Sequence, residues 1–256
     1  MADGKRDSFF VQHLYDLAER ARRYGSPVFT DFMTAKELSL FLNHKKSFLD
    51  VRVATWGGHE DCAHKMGGFF PADYDVAPDS CVFPIQCLCV EAVNVKFAKE
   101  ISHRDYLGAI LNLGIERSMI GDIRISNHTA YVFCNEEFVP FLINGLVLVR
   151  RTSVRCRIVE DLQEIPAQEY EICECSVASL RLDNIVAAMI HSARGKAAAL
   201  IAQGNVLADY EERTSNSYRC KDNTPVTIKG YGKYKLFVKE EQTRKGKQKI
   251  TIYKYK

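Results

Sequence analysis

The chain has no long apolar run. Nowhere in its 256 residues is there a stretch near the ~20 apolar positions that cross a bilayer. The N-terminal MADGKRDSFFVQHL lacks the apolar core of a signal peptide, so a cytoplasmic protein without membrane attachment is expected. No C-x-x-C pair is present, and the group His59, Cys62, His64, followed by Cys81, Cys87 and Cys89, matches no zinc-finger or ribbon spacing. Cys87 and Cys89 would share one strand face as small apolar residues, and Cys173 and Cys175 read the same way. The nine cysteines, an odd number, suit reduced thiols. Neither G-x-x-x-x-G-K-[ST] nor G-x-G-x-x-G occurs, which removes the usual nucleotide cradles. No internal repeat or long low-complexity linker is found. No metal and no cofactor are expected.

Apolar residues make up 46% of the chain, ample for packed cores, and the length suits two or three domains. Charge is unevenly placed. From Ser179 to Lys256 there are 16 Lys+Arg against 7 Asp+Glu, a surplus of nine, while the remainder carries 19 against 25. The final stretch, KGYGKYKLFVKEEQTRKGKQKITIYKYK, interleaves lysines with Tyr231, Tyr234, Phe237, Tyr253 and Tyr255. It suits strands basic on one face and aromatic on the other, able to meet phosphates and stack on bases. The alternative is a solvated lysine-rich tail.

Between Ser179 and Val206, Leu182, Ile185, Val186 and Met189 recur at helical spacing. A second helix turns Ala197, Leu200 and Ile201 inward and stops at Gly204, a natural residue for a left-handed helix end. Arg181, Arg194 and Lys196 fall near the two helix starts, where free backbone N–H groups already attract anions. These residues point to phosphate. His191 and Ser192 add possible hydrogen bonds to a sugar-phosphate backbone, and Lys229, Lys233 and Lys235 extend the footprint along the last strands. Asp183 reads as a helix-start acid that positions Arg181.

The order Arg181-Leu182-Asp183, then Arg194, Ala197, Leu200, Ile201, Gly204 and Val206 resembles an S4 RNA-binding domain. Two positions depart from that pattern: Ala193 stands where serine is usual, and Asn223-Thr224 replaces a Gly-Asp turn. The resemblance implies binding of structured RNA by the positive helix face.

Upstream, Phe9–Tyr24 reads as a helix with Phe10, Leu14, Leu17 and Ala21 on one side. Thr34 with Glu37 reads as a capping box, and Ser47–Trp56 alternates like a strand. A strand at Cys87–Val95, a helix at Asp105–Leu113 and a hairpin of 122–125 and 129–134 about Asn127 follow. A helix at 136–144 and a strand at 154–159 complete a β-α-β-β-α-β order, the ferredoxin-like pattern also used by RNA-recognition folds. Tyr131 and Phe133 alternate on the hairpin among apolar neighbours, so core packing is expected for them rather than base stacking. The expected fold is α+β in three domains: 1–75 mixed α/β, 76–160 ferredoxin-like or RRM-like, and 172–256 S4, with a linker at 160–171.

The segments Thr30-Asp31-Phe32-Met33-Thr34, Gly57-Gly58-His59-Glu60-Asp61, His103-Arg104-Asp105-Tyr106-Leu107-Gly108, Leu113-Gly114-Ile115 and Ile120-Gly121-Asp122-Ile123 resemble the YlmH-type S4 proteins of bacteria. That family associates with the large ribosomal subunit. The resemblance implies ribosome-associated quality control, in which peptidyl-tRNA stranded on a split large subunit is held while its nascent chain is extended. The implied partners are large-subunit rRNA and tRNA, and a monomer is expected.

The same residues admit rival chemistries. His103-Arg104-Asp105 is not a kinase catalytic loop, because Ile110 stands where its Asn belongs and no Gly-rich loop or D-F-G exists. Asp105 reads as a helix cap; Arg104 reads equally as an RNA contact or a structural ion-pair partner. An RNA-modifying enzyme targeted by its S4 module lacks an R-L-D-x-x-T-type motif, and Asp31, Asp50 and Asp73 read as isolated surface or capping acids. No catalytic residue is expected. An adaptor joining RNA to a protein partner is the third reading.

Overall fold

A computed structural model describes residues 2–74, 83–94 and 101–255. Cys81, Val95 and the first residues of the expected middle domain lie outside them. The chain forms two compact units, 1–167 and 168–256. The expected 1–75 and 76–160 segments therefore share one unit, and the division falls inside the expected linker.

The first unit opens with α1 (Ala2–Tyr24), β1 (Val28–Phe29), α2 (Ala35–His44), β2 (Val51–Trp56) and β3 (Met66–Pro71). Leu14, Leu17 and Ala21 are buried along α1. Thr34 and Glu37 close a reciprocal capping box at α2. Strand β3 pairs antiparallel with β1 and β2 and is buried at all six positions. The Met-Gly-Gly-Phe-Phe-Pro sequence hides it, because a strand covered on both faces has no alternation to read.

The unit continues with β4 (Ile85–Ala92), α3 (His103–Leu111), β5 (Ile120–Ser126), β6 (Thr129–Asn135), α4 (Val139–Gly145), β7 (Leu148–Val149) and β8 (Thr152–Ile158). Its antiparallel sheet has the order β5-β6-β4-β8-β7. Alternate residues serve two cores. Leu88, Val90, Ala130 and Val132 pack with Tyr106 and Ile110 of α3 and Leu142 of α4. Cys87, Cys89 and Phe133 face the other way, onto Phe32, Cys62, Met66 and Phe70.

The second unit contains β9 (Tyr170–Val177), α5 (Leu182–Met189), α6 (Arg194–Ala202), β10 (Val206–Ala208), β11 (Glu211–Glu212), β12 (Pro225–Ile228), β13 (Gly232–Gln242) and β14 (Gln248–Tyr255). The six strands are ordered β11-β10-β12-β13-β14-β9. Leu182, Ile185, Val186 and Met189 of α5, with Ala197 and Ile201 of α6, pack on Tyr234, Leu236, Ile250 and Ile252. Among the described residues no single helix is long and apolar enough to cross a membrane. Helices α5 and α6 meet that description only together, and they are bent 112° to each other with their apolar faces in this core.

Candidate nucleic-acid interface

Arg181 occupies the N-cap position of α5 and Arg194 the first position of α6. Ala193 caps α6 with no side-chain bond, so the N–H groups there have no serine oxygen before them. Asp183 holds both arginines. Its carboxylate accepts from Arg181 Nε and Nη2 at 3.2 Å each, and from Arg194 Nε at 3.0 Å and Nη2 at 2.7 Å. The Asp183 side chain is only 5% exposed, while those of Arg181 and Arg194 are 42% and 57% exposed. Burial disfavours the Asp183 anion, but hydrogen bonds from the two arginines outweigh it and hold its carboxyl below the ordinary 3.8. One buried anion thus fixes two half-exposed guanidinium groups at adjacent helix starts, whereas sequence assigned it to Arg181 alone.

The other predicted residues divide into groups. His191 takes the left-handed position after α5, with φ of 48°. The His191 N–H donates to Ala188 O and the Ser192 N–H to Ala187 O, closing the helix end. Ser192 and His191 then line an open groove of about 350 Å³ with Cys173, Cys175, Asn184 and Ala188. Lys196 Nζ lies 5.6 Å from the Tyr231 ring centroid, which brings α6 against the β12–β13 turn that carries exposed Lys229. Lys233 and Lys235 are not part of this cluster. Cross-strand register pairs Tyr234 with Lys254 and Leu236 with Ile252 on the helix-covered side, so Lys233, Lys235 and Phe237 face the opposite side. The expectation of one basic and one aromatic face is therefore corrected: lysines and rings share a face. Arg104 is exposed on α3 in the other unit.

Sequence reading missed Arg219. A backbone bridge sets it opposite Arg181, flanked by Leu182 N–H to Tyr218 O and Cys220 N–H to Leu180 O. The only local signal is the basic pair Arg219 and Lys221. At the second departure from the S4 pattern, Asn223 supplies the left-handed turn with φ of 64°, and Thr224 Oγ1 accepts from Lys221 N–H at 3.0 Å.

In the first unit, the residues that carry the family resemblance build an internal seam. Gly58, with φ of 93°, lies so close to Phe133 that an added Cβ would sit 2.5 Å from Cδ1. At Gly121 an added Cβ would meet the Phe32 ring at 2.6 Å. Asp122 accepts from Ala63 N–H at 2.5 Å and His64 N–H at 3.2 Å, and also bonds His64 Nδ1. Arg124, 5% exposed, donates to Pro166 O at 3.1 Å and to His59 Nδ1 at 3.3 Å, with Cys62 Sγ at 3.7 Å. His59 accordingly has a lowered pKa, first from burial and then from the Arg124 charge. The His59–Cys62–His64 group thus surrounds a guanidinium and a carboxylate. Asp105 is the third residue of α3 rather than its cap: Ser102 caps, and Asp105 returns the bond to Ser102 N–H at 2.9 Å. Phe133 is fully buried and Tyr131 packs in the same cluster, so the sheet face that RNA-recognition folds offer to bases is occupied by the N-terminal layer.

The fold and this site define an α+β protein with a cationic pair of helix starts. Residues 78–163 match the family described as a putative RNA-binding domain in YlmH. The chain is 29% identical over 232 residues to "Ribosome-associated protein quality control protein P2" of Bacillus subtilis (strain 168), covering 89% of this chain and 87% of that one. Its fold is similar to a structure titled "Cell division protein ylmH from Streptococcus pneumoniae", with a TM-score of 0.51 and 20% identity over 63% of this chain and 95% of that one. These likenesses support a YlmH-type RNA-binding protein, with the family match itself lying over residues 78–163.

Proposed function

We propose that the protein is a non-enzymatic RNA-binding factor that associates with the large ribosomal subunit, contacting rRNA and peptidyl-tRNA in ribosome-associated quality control. The observation that carries this reading is the Asp183-anchored pair Arg181 and Arg194, flanked by Lys196, Lys229 and Arg219. The pair of helices with these cations supports an S4 module, and the strand order β5-β6-β4-β8 with two crossover helices supports a ferredoxin-like middle segment. The ribosomal role follows the name of the Bacillus relative. The cations are arranged for phosphate contact, and on this reading RNA is held and not altered. RNA recovered from the complex is expected to be chemically unchanged; a modified or cleaved product would favour the enzyme reading.

The direct test is Arg194→Ala with Lys196→Ala. Affinity for structured RNA should fall across sequences, and the slope of log affinity against log salt should flatten by about 1.5–2 for two lost phosphate contacts. Unchanged affinity and slope would remove these residues from the interface.

A further inference from the structure

The C-terminal sheet has two faces, and α5 and α6 cover one of them. Register across β13, β14 and β9 aligns Lys235 with Tyr253 and Ile172, Phe237 with Thr251 and Glu174, and Tyr255 with Tyr170, all on the other face. Four rings form a continuous row there. Phe237 and Tyr253 are 4.8 Å apart, Tyr253 and Tyr170 5.4 Å, and Tyr170 and Tyr255 5.0 Å, each pair edge to face. Ile172 stands beside the row at 57% exposure, and Lys235 Nζ lies 5.2 Å from the Phe237 centroid. Lys233 follows on the same face. Lys239 and Lys249 pair with Glu174 at 2.7 Å and Glu241 at 2.6 Å, so this face of the three strands carries four lysines and two glutamates.

We propose that this face is a second nucleic-acid site, distinct from the helix-start cluster, that takes unpaired nucleobases of a single-stranded RNA segment. It rests on the RNA-binding reading and adds a ligand class to it. Aromatic rings interleaved with ammonium groups meet both parts of a nucleotide, because a base stacks on a ring whatever its identity and the adjoining phosphate pairs with lysine. Aliphatic surface on the ring row is confined to Ile172, so the chemistry favours a base stack over a protein partner.

The test uses the full chain and two fluorescent probes, a single-stranded uridine-rich octamer and a base-paired hairpin, read by anisotropy. Tyr253→Phe keeps a ring and should bind the octamer as wild type does. Tyr253→Leu and Ile172→Glu should weaken octamer binding roughly 5- to 100-fold, the range for losing a stacked base. Both should bind the hairpin normally, which also shows that they fold. Arg194→Ala with Lys196→Ala should do the reverse, losing the hairpin more than the octamer. Wild-type octamer affinity in both Tyr253→Leu and Ile172→Glu overturns the second site, whatever else the face binds. Failure of the wild type to bind either probe overturns the RNA reading itself.

Discussion

At the scale of single residues, a few buried charges set the geometry of the surface. Asp183 is the clearest. Replacing it with Asn leaves Arg181 and Arg194 without their common anion, and should cost about 1–2 kcal/mol of stability, given that both arginines are half exposed. Because its pKa is lowered on folding, its contribution is complete above the ordinary 3.8 and is lost as pH falls below it. Thermal melts of wild type and Asp183→Asn should therefore differ at pH 7 and converge in acid. His59 acts in the same direction at higher pH. Its lowered pKa makes the unfolded chain bind a proton first, so stability of the first unit should decline as pH drops below the ordinary 6.5. His59→Gln, which keeps an acceptor for Arg124, should flatten that decline in urea melts across pH 5–8; an unaltered profile would assign the loss elsewhere. Burial pushes the thiols of Cys62, Cys134 and Cys220 up to about 12, so native protein at pH 8 should protect them from thiol reagents until it unfolds.

At the scale of elements, the sequence was legible where one side of an element meets water. The apolar stripe of α5, the capping box of α2 and the left-handed Gly204 end of α6, with φ of 71°, follow from local chemistry that survives folding. Strand β3 is hidden because both its sides are buried; β9 shows only in the shared face of Cys173 and Cys175, because its first two residues fall in the stretch expected as linker. The shared face of lysines and rings was misread for a different reason. Lysine and tyrosine alternate in sequence over Lys233–Lys235 and again over 253–256; Phe237 then falls in phase with Lys235, and only pairing with β14 and β9 shows which rings meet. The seam between the N-terminal layer and the β4–β8 sheet depends on close approach, so Gly58→Ala should destabilise the first unit by about 2–4 kcal/mol through left-handed strain and overlap with Phe133. Tyr131→Ala should lower stability yet leave RNA affinity intact. Loss of RNA binding by a folded Tyr131→Ala protein would reopen that sheet face as a base platform.

At the scale of the whole molecule, charge and packing are divided between the two units. The first builds its sequence motifs into an interior seam and carries the net acidic half; the second carries the net positive charge and the predicted phosphate-binding residues, Arg104 apart. The candidate site was legible at its helix starts, where residue type and helix position coincide. It was illegible where chain reversal brings Arg219 to Arg181, since nothing local marks that bridge. The proposed function rests on association with the large ribosomal subunit through RNA. It is tested most directly by crosslinking and sequencing the RNA bound to tagged protein in cells, together with sedimentation of the same lysate. The expected result is cofractionation with free large subunits and crosslinks to large-subunit rRNA and tRNA. Crosslinks confined to other RNAs, with no ribosomal cosedimentation, would contradict it.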